Sequence, residues 1–89
     1  MTIIVAGKLL LKAGMREEFI EKSIPAILLA RQNKACVDFS VSPDSVDANR
    51  VNIFEQWTTE EALTKFRDSG PESDTLSMVE VVDIKEFTL

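Results

Sequence analysis

The chain reads as one α+β domain in which strands and helices follow the order β-α-β-β-α-β. Three observations predict it. Two segments repeat apolar residues at helical spacing, four carry aliphatic and β-branched residues at strand spacing, and turn-forming residues separate them. Eighty-nine residues are enough for one domain, 1–89, and no internal repeat or low-complexity segment divides it.

Thr2 to Leu11 is the first strand, closed by the turn Lys12-Ala13-Gly14. Ile3, Val5, Leu9 and Leu11 occupy one face, and Ile4, Ala6 and Leu10 the other. A half-wet antiparallel strand alternates apolar with polar, so a strand that is apolar on both sides needs cover on both. Met15 to Asn33 predicts an amphipathic helix, with Phe19, Ile20, Ile24, Ile27, Leu28 and Arg31 at helical spacing and Glu17, Glu18 and Glu21 near the positive end of the helix dipole. Pro25 lies inside it and predicts a kink, since an interior proline removes a hydrogen bond and crowds the carbonyl four residues back.

Cys36 to Ser42 alternates, placing Val37, Phe39 and Val41 on one side. A polar connector from Pro43 to Asn49 leads into the strand Val51 to Trp57, and the two strands predict a hairpin. Val51, Ile53, Glu55 and Trp57 share a face of the third strand. Thr58 and Glu61 have capping-box spacing, so Thr58 is the expected N-cap of a helix from Thr59 to about Asp68, with Ala62, Leu63 and Phe66 inward. Ser69-Gly70-Pro71 ends that helix. Glu72 to Ser77 is expected to form one loose turn, and Val79 to Phe87 the last strand. The change of apolar parity between Val81 and Val82 predicts a bulge or burial of both faces.

This order is the split βαβ, ferredoxin-like arrangement: a four-stranded antiparallel sheet with both helices on one face. The other face still carries aliphatic side chains. Shielding each Leu or Ile is worth about 1.5–3 kcal/mol, against a whole-domain stability of about 5–15 kcal/mol. A second copy packed sheet to sheet is the simplest cover, so a homodimer is expected.

Composition narrows the function. Fifteen acidic against ten basic residues give a net charge of −5, and the basic residues form no run, which disfavours nucleic acid and anionic membrane. One cysteine and no histidine cannot supply a zinc or haem ligand set, and no calcium-loop spacing is present. The lone thiol fits a reducing compartment. The opening Ile3-Ile4-Val5-Ala6 is too short to span a membrane and has no basic leader, so a cytoplasmic location is expected.

The stretch Asn49 to Leu63 is the most informative. It runs from a turn through a strand ending in the only tryptophan, then directly into a capped helix, so Trp57 stands at a sheet-to-helix junction. Glu55-x-Trp57-x-Thr59-x-Glu61-Ala62-Leu63 resembles the signature of the antibiotic biosynthesis monooxygenase family, small dimeric α+β barrels. Ile3 to Gly14 is similar to the family's opening strand and turn, and Arg31 followed by Cys36-x-x-Phe39 to a later passage in which Ala35 stands for Gly and Phe39 for Tyr. Members often carry His in the helix after the Trp, where this chain has Phe66. Haem-degrading members use an Asn on the first strand, where this chain has Gly7; with no histidine, haem degradation is disfavoured. Some polyketide oxygenases place an Asn four residues before the Trp, where this chain has Ile53.

The resemblance implies a ligand bound between sheet and helices near Trp57, with Phe66, Arg31 and Phe39 as further substrate-binding candidates. Trp57 is either a wall on which a planar aromatic stacks or an anchor for the second helix. Oxygenation without metal, flavin or haem requires a general base, and Asp38 and Glu55, ionisable groups inside strands, are the candidates; the alternative is that each is solvated or paired with Arg. Arg31, and after it Arg67, could face an anionic oxygen or form a structural ion pair. Cys36, with no activating neighbour in sequence, reads as a small packed side chain. Two functions follow: a cofactor-independent monooxygenase acting on a quinol- or anthrone-like aromatic, or a non-catalytic dimeric barrel that binds a small apolar ligand.

Overall fold

The computed structural model describes residues 1–69 and 75–89. Its elements are β1 (Ile3–Leu11), α1 (Arg16–Arg31), β2 (Cys36–Pro43), β3 (Arg50–Trp57), α2 (Glu60–Ser69), a 3-10 turn (Thr75–Met78) and β4 (Val79–Thr88). The four strands form one antiparallel sheet in the order β2-β3-β1-β4. The inner strands are β1 and β3, whose apolar residues meet a neighbour on each side. Helix α1 lies against β2, and α2 against β3.

Cross-strand partners point to the same face, so the register sorts the side chains into rows. On the helix-covered face the rows are Cys36–Trp57–Ile3–Thr88, then Phe39–Glu55–Val5–Glu86, then Val41–Ile53–Gly7–Ile84. The core follows these rows in two clusters. One gathers Ile3, Val5, Ala30, Phe39, Trp57 and Leu63. The other, at the opposite end, gathers Leu9, Leu11, Phe19, Val51, Ile53 and Met78.

Several sequence expectations are corrected. Val37 does not share a face with Phe39: the register slips between Cys36 and Asp38, so Cys36 pairs with Trp57 and Val37 bulges out, 57% exposed. Thr58 is not the cap of α2. Its N–H (2.8 Å) and hydroxyl (3.3 Å) both donate to the Ala35 carbonyl, tying β3 to the start of β2. Thr59 takes over, its hydroxyl accepting the Ala62 N–H at 3.2 Å. Helix α1 continues through Pro25, which is exposed. The buried stripe of α1 is Phe19 and Ala30, with Ile20 and Ile27 half-buried. Ile24 and Leu28, expected inward, lie on the adjacent flank and are exposed. In β4 the irregularity falls at Glu80, between the pairs Leu10–Val81 and Leu11–Val79, rather than between Val81 and Val82. The expected stop Gly70-Pro71 and the first half of the expected turn from Glu72 lie outside the described residues; its second half falls in the 3-10 turn Thr75–Met78.

The β2–β3 connection is held by charge. Arg16 at the start of α1 donates through Nη1 to the carbonyls of Asp44 (3.1 Å) and Asp47 (3.0 Å). The Asp44 carboxylate accepts from the Asn52 amide and from the backbone N–H groups of Asp47 and Val46, which holds its pKa down at about 2. In the middle of β1, Gly7 lets β4 approach: a Cβ on Gly7 would overlap the Asp83 carbonyl oxygen and come within 2.7 Å of Ile84 Cα.

Candidate functional site

The side chains with most chemistry meet where β3 ends over α2. Strand periodicity puts Glu55 and Trp57 on one face, two residues apart, and the Trp57 indole N–H donates to Glu55 Oε1 at 3.0 Å. Trp57 is 0% exposed. Phe66 of α2 packs on it with ring centroids 5.3 Å apart and meets Phe39 edge-on at 5.6 Å. Three aromatic rings therefore border a half-buried carboxylate.

Burial pushes the Glu55 carboxyl above its ordinary pKa. The indole hydrogen bond and the Arg67 charge pull it back, and the Glu86 charge pushes it up again. Arg67, in the last turn of α2, reaches across to Glu86 of β4, with Nη1 3.4 Å from Oε2. Glu55 and Glu86 stand in one row with Val5 between them. This corner holds a half-buried base, a guanidinium and an aromatic wall within one sheet-to-helix junction.

The predicted candidates divide. Glu55, Trp57, Phe66 and Phe39 come together. Asp38 pairs with Gln56, so it lies on the opposite face from Glu55; it is exposed and accepts the Phe39 N–H at 2.8 Å. Arg31 donates from Nε to the Phe39 carbonyl at 3.0 Å, fastening the end of α1 to β2, and Arg67 rather than Arg31 is the guanidinium whose charge reaches Glu55. Glu86 has no signal in the sequence, because only the pairing of β1 with β4 carries it into the row of Glu55. Cys36 is partly buried; its thiol is raised first by burial and then by the charges of Glu55 and Asp38. Among the described residues no three His, Cys, Asp or Glu side chains converge as a metal cage would require.

A groove of about 630 Å³ opens outside this junction, between the end of α1 and the start of α2, lined by Leu29, Gln32, Asn33, Ala62, Lys65 and Phe66 among others. Phe66 belongs to both: its ring meets Trp57 within and borders the groove without. No helix among the described residues is long and apolar enough to cross a membrane.

An antiparallel sheet with two helices on one face, in the order β-α-β-β-α-β, defines the ferredoxin-like α+β class. The comparisons with known proteins make the assignment: residues 2–74 match the family model for antibiotic biosynthesis monooxygenases, and the chain belongs to that family. The Synechocystis protein sll1783 is 34% identical over 61 residues, 68% of this chain and 42% of that protein, so the match covers about two fifths of the relative's length. Solved structures agree in fold. Protein SO0527 of Shewanella oneidensis superposes with a TM-score of 0.86 at 16% identity, covering 97% of this chain and 88% of that one. Rv0793 of Mycobacterium tuberculosis gives 0.85 at 15% identity, covering 100% and 95%. At such identities the likeness is one of fold.

Proposed function

We propose that this protein oxidises a small electron-rich aromatic, of quinol or anthrone type, with molecular oxygen in the junction beside Trp57, Glu55 acting as the general base. The observation that carries this reading is the Glu55 carboxylate: half-buried, lifted above its ordinary pKa by burial, oriented by the Trp57 indole and bordered by Phe39 and Phe66. A base whose pKa is raised toward ambient pH is better matched to proton abstraction from a weak acid.

The electrons come from the substrate. For an anthrone, the ring methylene and one molecule of oxygen become a ring ketone and one molecule of water. Glu55 takes a proton from the ring hydroxyl or the methylene, the resulting anion gives one electron to oxygen, and the radical pair joins as a hydroperoxide. Loss of the remaining C–H proton breaks the O–O bond; one oxygen stays as the carbonyl and the other leaves as water. The protein supplies orientation, exclusion of water and the proton route.

The protein acts as a homodimer paired through its sheets. On the face away from the helices, Phe54 and Phe87 flank Ile4 and Ala6, and Val81 lies beside Leu10; Phe87 is 49% exposed. Strand β4 has no buried residue, and its helix-side Val82 is 63% exposed, so its apolar set lacks cover on both sides. Exposed apolar patches of this kind mark interaction surfaces. Sedimentation at micromolar concentration should give twice the chain mass; a folded, soluble single chain would remove the dimer.

A second reading, in which the protein binds a small apolar ligand without turnover, is favoured by the groove outside the junction, where Leu29, Ala62 and Phe66 present apolar surface. One experiment separates the two. Purified protein is incubated with dihydroxynaphthalenes and anthrones without added cofactor, and quinone formation and oxygen uptake are followed. Turnover that Glu55→Gln abolishes supports the oxygenase; binding with no rate above background supports the ligand carrier.

A further inference from the structure

The geometry points to Arg67 as the anion receptor of this junction, held by Glu86 until a ligand displaces it, so that the favoured ligand is a planar aromatic bearing an anionic oxygen. The inference rests on the proposed reading of the same site and narrows its substrate class.

The row Phe39–Glu55–Val5–Glu86 lays an aromatic ring, an acid, an apolar spacer and a second acid across the sheet. Adjacent strands lie about 4.8 Å apart, so the two acids are rooted about 10 Å from each other, and the guanidinium of Arg67 reaches over this interval. Among the described residues it makes one contact, with Glu86 at 3.4 Å, and the side chains are 50% and 39% exposed. Exposed one-point ion pairs are weakly held. A guanidinium fork is built for two parallel hydrogen bonds to a carboxylate or phenolate, which this contact leaves unused. Phe66, the residue before Arg67, packs its ring on Trp57 at the same end of the sheet.

Chemically the two acids also need Arg67. A phenol that gives its proton to Glu55 becomes an anion facing the Glu86 carboxylate beside a now neutral Glu55, and is poorly held unless a cation meets it. Arg67, by leaving Glu86, meets it. Arg67 is thus a binding residue, and Glu86 a positioning residue that acts through it.

The test is calorimetric titration of the folded protein with 2-naphthoate, with its neutral isostere 2-naphthamide, and with a nitronaphthol ionised at neutral pH. The wild type should prefer naphthoate to naphthamide by about tenfold or more. Arg67→Gln should reduce that preference to about one, Arg67→Lys should restore part of it, and Glu86→Gln should tighten naphthoate several-fold while leaving naphthamide unchanged. The nitronaphthol tells phenolate from carboxylate: tighter binding than naphthoate assigns the receptor to the phenolate. A preference that survives Arg67→Gln, a weakening of naphthoate by Glu86→Gln, or no binding of any of the three overturns the proposal. Charge selectivity without quinone formation would retain the anion receptor and remove the oxygenase; turnover with selectivity unaffected by Arg67→Gln would do the reverse.

Discussion

Glu55 carries both a structural and a proposed chemical role, and two substitutions separate them. Trp57 is fully buried and its indole N–H is donated to Glu55 Oε1 at 3.0 Å. Glu55→Ala leaves that donor without its partner, at a cost of about 1–3 kcal/mol. Loss of the side-chain methylene contacts adds about 1 kcal/mol, and relief of a half-buried charge offsets part of the total. A net loss of about 2 kcal/mol is expected, which in a domain of this size lowers Tm by about 8–16 °C. Glu55→Gln keeps an acceptor oxygen at the same reach and removes the charge, so its stability at neutral pH should equal or exceed the wild type's. The pH dependence fixes the sign. The folded-state pKa is raised above 4.5, so the folded state favours the protonated acid. The stability contributed by this group is full below 4.5 and is lost as pH rises through the raised value. The advantage of Glu55→Gln over the wild type therefore grows as pH rises from 4.5 toward neutrality and then levels off. Urea unfolding at fixed protein concentration, followed by far-UV circular dichroism, measures all three proteins at several pH values. If Glu55→Gln is as damaged as Glu55→Ala, or if wild type and Glu55→Gln run parallel in pH, the reasoning about the indole bond and the buried charge is wrong. Quinone-forming activity, by contrast, should fall about 10²–10⁴-fold in Glu55→Gln although its fold is intact.

Gly7→Ala drives a methyl into the backbone of β4 at Asp83 and Ile84, and should cost about 2–3 kcal/mol; hydrogen exchange should show the loss first in β4 amides. Leu63→Ala empties a fully buried position between α2 and the sheet and should cost about 3 kcal/mol in the same urea assay. Asp44, held at about 2 against an ordinary 3.8, contributes stability that is present above 3.8 and lost as pH falls toward 2; Asp44→Asn should abolish that acid limb of the stability curve.

Much of the site is legible in the sequence because strand periodicity is rigid. The two-residue spacing of Glu55 and Trp57 places them on one face, and helical spacing brings Phe66 inward over them. Asp38 reads as an equal candidate because the parity of β2 and β3 gives no relative register; pairing with Gln56 puts it on the far face. Arg31 reads as a better candidate than Arg67 because it lies on an apolar stripe, yet its guanidinium is engaged by the Phe39 backbone carbonyl of β2. Thr58 reads as the cap because Glu61 stands at capping-box spacing, but the Ala35 carbonyl takes both of its donors and Thr59 caps the helix.

The sequence by itself determined the number and order of the elements, the apolar character of both faces of β1 and the presence of an acid two residues before the tryptophan, since these depend on local periodicity and turn chemistry. Tertiary structure decided which side chains face one another. The Phe39–Glu55–Val5–Glu86 row, the bulges at Val37 and Glu80 and the reach of Arg67 to Glu86 all arise from strand register and helix placement. Those are set by the packing of residues far apart in the chain, and no local pattern contains them.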